Sequence, residues 1–322
     1  MNPNTLIIGG LCLGSSLNKQ SSFEFLQKAF SLGIRDIDTG SLYGNGNSEL
    51  YIADFIKVTK NLFKIHTKIG LERIKRDDGS FGVKLNELNS DYIIRETEDS
   101  ISRLGIKKIH RLSLHAFCKK ITIKEQVKTL DYLIRNDLIE SYGICNFEFA
   151  ELKAWLDCCD EFNLPLPSSL DLHFNLFEQK ASKRILPLLS RYSVEAIPYR
   201  VFCRGILADR YQKSQTLPEN SRASSSWRVK RYINDINLSS VKKLKLLAHK
   251  NKISLMELVL LWVFSFECIS KICIGTACTR QLEEIVKANI SINQIEKNFL
   301  EDINDNYLPP DYLRKPDVFF EK

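Results

Sequence analysis

Short apolar runs alternate with amphipathic stretches along the whole chain. Eight runs rich in Ile, Leu and Val recur at residues 5–11, 34–38, 63–68, 109–115, 139–145, 169–173, 194–199 and 271–275. Most of these runs are continuously apolar, which is typical of parallel strands that are buried on both faces of a sheet. We therefore predict eight parallel strands.

Helical patterns fill the intervals between the predicted strands. Apolar residues recur at i, i+3 and i+4 in residues 22–31, 91–103, 124–135, 147–160, 181–191, 240–249 and 279–288. Gly33 and Gly105 follow two of these segments, at the position where a glycine commonly ends a helix. Repeated strand–helix units without a break in composition predict a (β/α)8 TIM barrel, formed as a single domain over residues 1–322.

Three segments do not fit the strand–helix repeat. Residues 70–90 show little periodicity, residues 204–239 form a long polar stretch, and the residues from about 308 onward contain Pro309, Pro310 and Pro316. Long loops that follow strands line the C-terminal face of a barrel, where active sites are built. We expect these segments to contact the substrate, and we expect the last one to be an irregular C-terminal tail.

The composition suits one large globular domain and gives no sign of a nucleic-acid partner. The chain has 322 residues, and barrels routinely run to about 250 residues or more. Hydrophobic residues make up 44% of the chain and charged residues 26%, so a sizeable core can form. The net charge of +7 is scattered along the chain, which indicates a solvated surface with a mild attraction for anionic ligands.

The sequence favours a cytoplasmic protein without a metal or a membrane partner. The nine cysteines form no C-x-x-C pair, so they indicate reduced thiols rather than metal ligands. The longest apolar stretch, residues 258–266, is too short to span a bilayer and predicts a buried helix. The amino terminus lacks the charged segment of a signal peptide, and reduced cysteines are typical of the cytoplasm.

Ionisable side chains stand at the ends of three predicted strands. Asp38, Lys68 and His115 each close an apolar run, and Tyr43 lies five residues beyond Asp38. Because the carboxyl ends of barrel strands converge at the mouth, we expect these four side chains to meet there. Taken singly, each has an ordinary structural alternative, such as a helix cap for the aspartate or core packing for the histidine. The joint placement of all four favours a catalytic site.

The motifs around these residues resemble the aldo-keto reductase family. Residues 33–44, Gly-Ile-Arg-Asp-Ile-Asp-Thr-Gly-Ser-Leu-Tyr-Gly, and the Ser48-Glu49 pair that follows are similar to its signature of Asp-Thr-Ala, Tyr-Gly and Ser-Glu. Further segments resemble family motifs in the same order, at residues 67–70, 102–115, 143–147, 199–205 and 274–284. The matches span nearly the whole chain, so the resemblance implies the family's barrel and its reduction of carbonyls.

The resemblance implies a proton-transfer role for the four strand-end residues. Hydride addition turns a carbonyl oxygen into an alkoxide that needs a proton, and Tyr43 would supply it. A free tyrosine has a pKa near 10, and the ammonium of Lys68 is expected to lower it. Asp38 would hold Lys68 through an ion pair, and His115 would orient the carbonyl with a hydrogen bond.

The resemblance also implies that NADPH is the cofactor, with NADH left open. The positions expected to hold it are Gly9, Gly10, Asp38, Cys145, Asn146, Asp171, Tyr199, Gly275, Thr276, Arg280, Gln281 and Glu284. Cys145 and Asp171 replace the serine and glutamine that bind the nicotinamide carboxamide in the family, so this part of the site is altered. Arg280 is the candidate partner of a 2′-phosphate, whereas no Gly-x-Gly-x-x-Gly motif follows a strand to support a Rossmann site.

The expected substrate is a small carbonyl compound contacted by Tyr43 and His115. Arg200 adds a cation after the expected stacking tyrosine, which points equally to an anionic substrate, such as a nucleotide-linked sugar or a carboxylated carbonyl, and to a phosphate of the cofactor. Two alternatives stay open: a sugar dehydrogenase that works in the oxidative direction, and a regulatory barrel that binds the cofactor with little turnover. The sequence decides neither the substrate nor the oligomeric state.

Overall fold

A computed structural model of the chain describes residues 1–75, 77, 79, 81–211, 229, 232–290 and 303. Eight parallel strands close into a barrel in the order β1-β10-β9-β8-β7-β6-β3-β2. These strands are β1 (Leu6–Gly9), β2 (Asp36–Asp38), β3 (Lys64–Ile69), β6 (Ile109–Leu114), β7 (Ile139–Cys145), β8 (Ser169–His173), β9 (Glu195–Tyr199) and β10 (Ile272–Ile274). Each lies within one residue of an apolar run, so the predicted (β/α)8 fold is confirmed.

Helices follow the barrel strands and cover them from outside. The described helices are α1 (Lys19–Ser31), α2 (Asn47–Thr59), α3 (Ser90–Leu104), α4 (Ile123–Arg135), α5 (Phe149–Glu161), α6 (Ile185–Arg191), α7 (Asp235–Lys250), α8 (Leu255–Phe264) and α9 (Thr279–Lys287). Side-chain caps explain where two of these helices begin. Asn89 accepts a hydrogen bond from the backbone N–H of Tyr92 at the start of α3, and Thr122 accepts one from that of Glu125 at the start of α4. Gly105 ends α3 in the left-handed conformation, as its position predicted.

The hydrophobic core lies between the strands and the ring of helices. Trp155 of α5 and Trp262 of α8 are among its largest fully buried side chains. Burying an aromatic side chain of this kind contributes about 3 kcal/mol or more. The inside of the barrel, in contrast, holds buried polar side chains, including those of Asp36, His66 and Arg111.

Two elements differ from the sequence-based expectation. Within residues 70–90, where the sequence shows little periodicity, β4 (Leu71–Lys75) and β5 (Phe81–Leu85) pair as an antiparallel hairpin. Helix α2, which the periodicity did not predict, follows the turn that carries Tyr43. The predicted tail from about residue 308 lies outside the described residues, and so do residues 212–228 and 230–231 of the predicted polar stretch 204–239.

Helix α8 accounts for the longest apolar stretch of the sequence. Its residues Leu258, Val259 and Leu260 are fully buried against the barrel, as expected for a core helix. A capping box between Ser254 and Glu257 fixes its first turn. Of the helices in the described part of the chain, none combines the length and the apolar character that a membrane crossing needs.

Candidate active site

The barrel brings the four strand-end residues to one place. Asp38 ends β2, Lys68 lies next to the end of β3, and His115 directly follows β6. These strands are neighbours, since β3 pairs with β2 on one side and with β6 on the other. Tyr43 begins the 3-10 turn that follows β2, which carries it back over the mouth.

The side chains form a compact group around the lysine. Lys68 Nζ donates a short hydrogen bond to Asp38 Oδ1 inside the barrel. The same ammonium lies 5.8 Å from the centre of the Tyr43 ring. The Tyr43 and His115 rings meet edge to face, with centroids 5.8 Å apart and planes at 73°. A phenol, an ammonium, a carboxylate and an imidazole are therefore within reach of one small substrate.

Burial and charge set the protonation of this group. Burial alone would lower the pKa of Lys68, but the acidic groups around it, led by the carboxylate of Asp38, together outweigh burial and raise that pKa well above its ordinary value. Burial and the ammonium of Lys68 lower the pKa of His115 to about 3. At neutral pH the site therefore contains a fixed cation and a neutral imidazole that has one N–H to donate.

The pKa of Tyr43 departs from the sequence-based argument. Lys68 does lower it, as expected, but burial has the larger effect and raises the pKa above its ordinary value of 10.0. The charge of Lys68 alone predicts a lowered pKa, but the loss of solvent around the buried phenol outweighs that charge. Tyr43 thus keeps its proton at neutral pH, which suits a proton donor.

A second carboxylate approaches Lys68 from β8. Asp171 Oδ2 lies 3.5 Å from Lys68 Nζ, and Asp171 Oδ1 lies 3.4 Å from the guanidinium of Arg111. The thiol of Cys145 donates to Asp171 Oδ2 at 3.5 Å. Asp171 and Cys145 were expected to hold the cofactor amide, yet here they contact each other and the charges inside the barrel. Sequence reasoning missed Arg111, although it shares one strand face with His115.

Asn146 and Tyr199 are linked to His115 by hydrogen bonds. Asn146 adopts a left-handed backbone conformation with φ of 61°, and its Nδ2 donates to the carbonyl of His115 at 3.0 Å. The Tyr199 hydroxyl donates to Asn146 Oδ1. The Tyr199 ring stacks on His173 with planes at 10°, and the Arg200 guanidinium lies 5.5 Å from its centre. Asn146 retains one amide hydrogen and one lone pair for a ligand.

The predicted adenosine-side residues cluster where β10 leads into α9. Thr276 accepts from the backbone N–H of Cys278 at 3.1 Å, and its hydroxyl donates to Gln281. Arg280 is exposed and pairs with Glu284 at 3.0 Å. A side chain at Gly275 would meet no atom within 4 Å, so this glycine borders open space.

Close packing favours glycine at positions 9 and 10. A Cβ at Gly10 would lie 2.8 Å from the Asp38 carbonyl oxygen and 2.9 Å from Ser48 Oγ. A Cβ at Gly9 would lie 3.2 Å from the Ile274 carbonyl oxygen. Both glycines therefore allow β1 to approach its neighbours closely, whatever they contribute to a cofactor.

A separate polar cluster closes the opposite end of the barrel. Donor atoms of Asp36, His66 and His110 lie within 4.8 Å of one another, a spacing that metal ions can use. Lys271 Nζ, however, lies 2.9 Å from Asp36 Oδ1, which also pairs with His66 at 2.8 Å. The carboxylate charge is thus already balanced by an ammonium. Burial alone would raise the pKa of Asp36, but His66 and Lys271 outweigh it and lower the pKa to about 2.

We expect His66→Gln to make the free energy of unfolding fall less steeply as the pH is lowered. Burial and the nearby Arg111 lower the pKa of His66 from 6.5 to about 3, so the fold favours the neutral ring. A lowered histidine pKa gives stability that is complete above pH 6.5 and is lost as the pH falls towards 3. Glutamine can still donate to Asp36 but does not titrate. Urea denaturation at pH 7, 5.5 and 4.5 measures the slope, with His110→Gln on the rim as control. Equal slopes in wild type and His66→Gln would contradict the assignment.

Comparisons with known proteins agree on one family. A model of the aldo/keto reductase family matches residues 5–306. A putative voltage-gated potassium channel subunit beta of Schizosaccharomyces pombe is 24% identical, with 88% of this chain and 84% of the relative aligned. The L-glyceraldehyde 3-phosphate reductase of Escherichia coli K12 is also 24% identical, over 84% and 79%. The structure of a glycerol dehydrogenase from Gluconobacter oxydans shares the fold, with a TM-score of 0.79, 22% identity and coverage of 98% and 94%.

Proposed function

Because the chain belongs to the aldo/keto reductase family and is an NAD(P)H-dependent oxidoreductase, we propose that it reduces a small aldehyde or ketone with NADPH. The observation that carries this proposal is the convergence of Tyr43, Lys68 and His115 at the barrel mouth, with Asp38 bonded to the lysine. None of these side chains is adjacent in sequence to another, and the closed barrel brings all four together.

Each residue has a role that follows from its charge. Tyr43 holds its proton and donates it to the oxygen that becomes an alkoxide. Lys68 stays an ammonium and stabilises the phenolate left behind, which costs less beside a fixed cation. The neutral ring of His115 donates a hydrogen bond that orients the carbonyl. Asp38 holds the ammonium in place.

The chemistry of the donor set fits a nicotinamide cofactor, which supplies the hydride when bound. Asn146 has a free donor and a free acceptor for the carboxamide, and Tyr199 presents a flat ring beside it. The open space at Gly275 and the start of α9 suit the adenosine half. Arg280 is exposed and would have to leave Glu284 to pair with a 2′-phosphate. NADPH is our preferred cofactor and NADH the alternative.

The substrate and the direction of the reaction are further parts of the proposal. The Arg200 guanidinium lies beside Tyr199, which favours a carbonyl substrate with an anionic group. The glyceraldehyde-phosphate reductase among the relatives supports this choice, whereas the glycerol dehydrogenase supports a sugar or polyol oxidised in reverse. All nine cysteines are free thiols, which supports a cytoplasmic location.

A regulatory barrel is the second candidate function. The potassium channel subunit among the relatives favours it, as does the engagement of Cys145 and Asp171 inside the barrel. Such a protein would bind NADPH with little turnover. The four convergent residues nevertheless form a complete proton-transfer group, so reduction of a carbonyl remains our first proposal.

We expect the purified protein to change the fluorescence of NADPH on binding and to consume NADPH when a reactive aldehyde is added. Initial rates at 340 nm with neutral and anionic aldehydes, ketones and sugars measure the preference. Reactions without a carbonyl compound serve as the blank, and reactions with NADP⁺ and polyols test the oxidative direction. Tight binding of NADPH without turnover in either direction would contradict the reductase and favour the regulatory barrel.

A further inference from the structure

The charges inside the barrel form a continuous row that extends beyond the four strand-end residues. Starting from Asp38, the row passes to Lys68, then to Asp171 and then to Arg111. At least nine-tenths of each of these side chains is buried. Two carboxylates and two cations alternate, so the row carries no net charge when all four are ionised. A buried row of this kind is stable only as a complete set, because each charge needs its neighbours.

Arg111 is a charge partner of Asp171. The guanidinium passes over the intervening strand β7 at Gly143, where a Cβ would lie 3.3 Å from Arg111 Cδ. Burial alone would raise the pKa of Asp171, but Arg111 first and Lys68 second outweigh burial and lower it. Asp171 is therefore a carboxylate at neutral pH, with its oxygens directed to the two cations and to Cys145.

The ammonium of Lys68 lies between two carboxylates rather than beside one. Asp38 accepts its hydrogen bond, and Asp171 Oδ2 lies 3.5 Å away. A charge at 3.5 Å still exerts a large force between side chains that are buried to this extent. Pulled from two directions, the ammonium has less freedom to move relative to the phenol of Tyr43. Asp171 also adds to the negative potential that keeps Lys68 protonated.

We propose that Asp171, held by Arg111, is a positioning residue for Lys68: a second counter-ion that fixes the place and the charge of the catalytic ammonium. This inference rests on the proposed function, since it assigns Asp171 to the proton-transfer side of the site. It differs from the expectation that Asp171 holds the nicotinamide carboxamide. The two roles predict different kinetic and stability effects.

Asp171→Asn separates the two roles, because asparagine has the same shape and can still bind an amide. If Asp171 positions Lys68, kcat falls about 10- to 100-fold, and the KM for NADPH changes less than about threefold. Loss of the negative charge also lowers the pKa of Lys68, so the alkaline limb of the kcat profile moves to lower pH. An unchanged kcat, KM for NADPH and pH profile would overturn the proposal in favour of an amide clamp, because asparagine preserves such a clamp.

A double-mutant cycle tells positioning from simple packing. Arg111→Met and Asp171→Leu each leave a buried charge unpaired and are expected to lower the melting temperature, whereas the double variant is expected to regain much of it. Positioning predicts that the double variant nevertheless keeps the low kcat and the shifted pH profile. Recovery of kcat and of the wild-type pH profile together with stability would show that the pair is merely structural. Lys271→Met, which removes the ammonium beside Asp36 at the other end of the barrel, is the control for loss of a cation.

A cycle on stability alone tests the contact when no substrate is turned over. Lys68→Met is expected to lower the melting temperature less in the Asp171→Leu background than in wild type, because fewer carboxylates are left unpaired. Where Asp171→Leu does not fold, Asp171→Asn replaces it in the cycle. Additive shifts would overturn the proposed contact. A protein that shows coupling here but no turnover would refute the proposed function while the contact stands.

Discussion

Tyr43→Phe is expected to lower kcat about 10²- to 10⁴-fold while the dissociation constant for NADPH stays within about twofold of wild type. Phenylalanine keeps the ring that contacts His115 but cannot give a proton to the developing alkoxide. The barrier rises at the proton-transfer step, which binding of the cofactor does not include. Single-turnover rates at saturating NADPH measure the first quantity, and fluorescence titration with NADPH measures the second.

The matched control for this variant is Tyr132→Phe on helix α4. Tyr132 is 49% exposed on the outside of the barrel, so removal of its hydroxyl should change neither rate nor binding. The proton-donor role of Tyr43 would be refuted by a variant that retains more than about a tenth of the wild-type kcat. A loss of NADPH binding equal to the loss of kcat would instead indicate that Tyr43 supports the cofactor.

The sequence predicts the barrel well because buried strands leave a strong signal. Most barrel strands lie in short apolar runs, and their neighbours in space follow from the alternation with helices. Helix α2 is different, since it starts after Gly46 in the left-handed conformation and no side chain caps its first turn. The β4–β5 hairpin is mostly exposed, with Phe81 60% accessible, so burial imposes little pattern on it.

The sequence predicts the residues at the strand ends, but it does not predict which side chains meet inside the barrel. Strand ends identify Asp38, Lys68 and His115, because the end of a strand is visible in the sequence. Arg111 is harder to detect, since a charged residue within a run normally indicates an exposed face. Its position two residues from Ser113 and four from His115 does place it on the inward face. What the sequence lacks is the partner across the barrel, which follows from tilt and register.

Lys68→Met is expected to abolish turnover and also to destabilise the fold by about 3–5 kcal/mol. Methionine has nearly the same length but carries no charge, so Asp38 and Asp171 lose the ammonium that lies between them. A buried ion without its partner costs more than the pair contributed, because the desolvation of the remaining charge is no longer compensated. Urea denaturation of both proteins at pH 7 measures the loss.

The pH dependence of this loss identifies its cause. Burial and the carboxylate of Asp171 already raise the pKa of Asp38, and Lys68 is the largest influence that opposes them. Without Lys68 the pKa of Asp38 in the folded state rises further. A carboxyl whose pKa is raised on folding stabilises the fold most below its unfolded-state pKa of 3.8, and this contribution is lost as the pH rises. In wild type, Asp171 has a lowered pKa, so its contribution is lost only below pH 3.8 and stays constant between pH 7 and pH 4.5. The difference in unfolding free energy between wild type and Lys68→Met should therefore shrink from pH 7 to pH 4.5. A difference that stays constant across this range would mean that lost packing around the lysine, rather than loss of the ammonium beside Asp38, destabilises the variant.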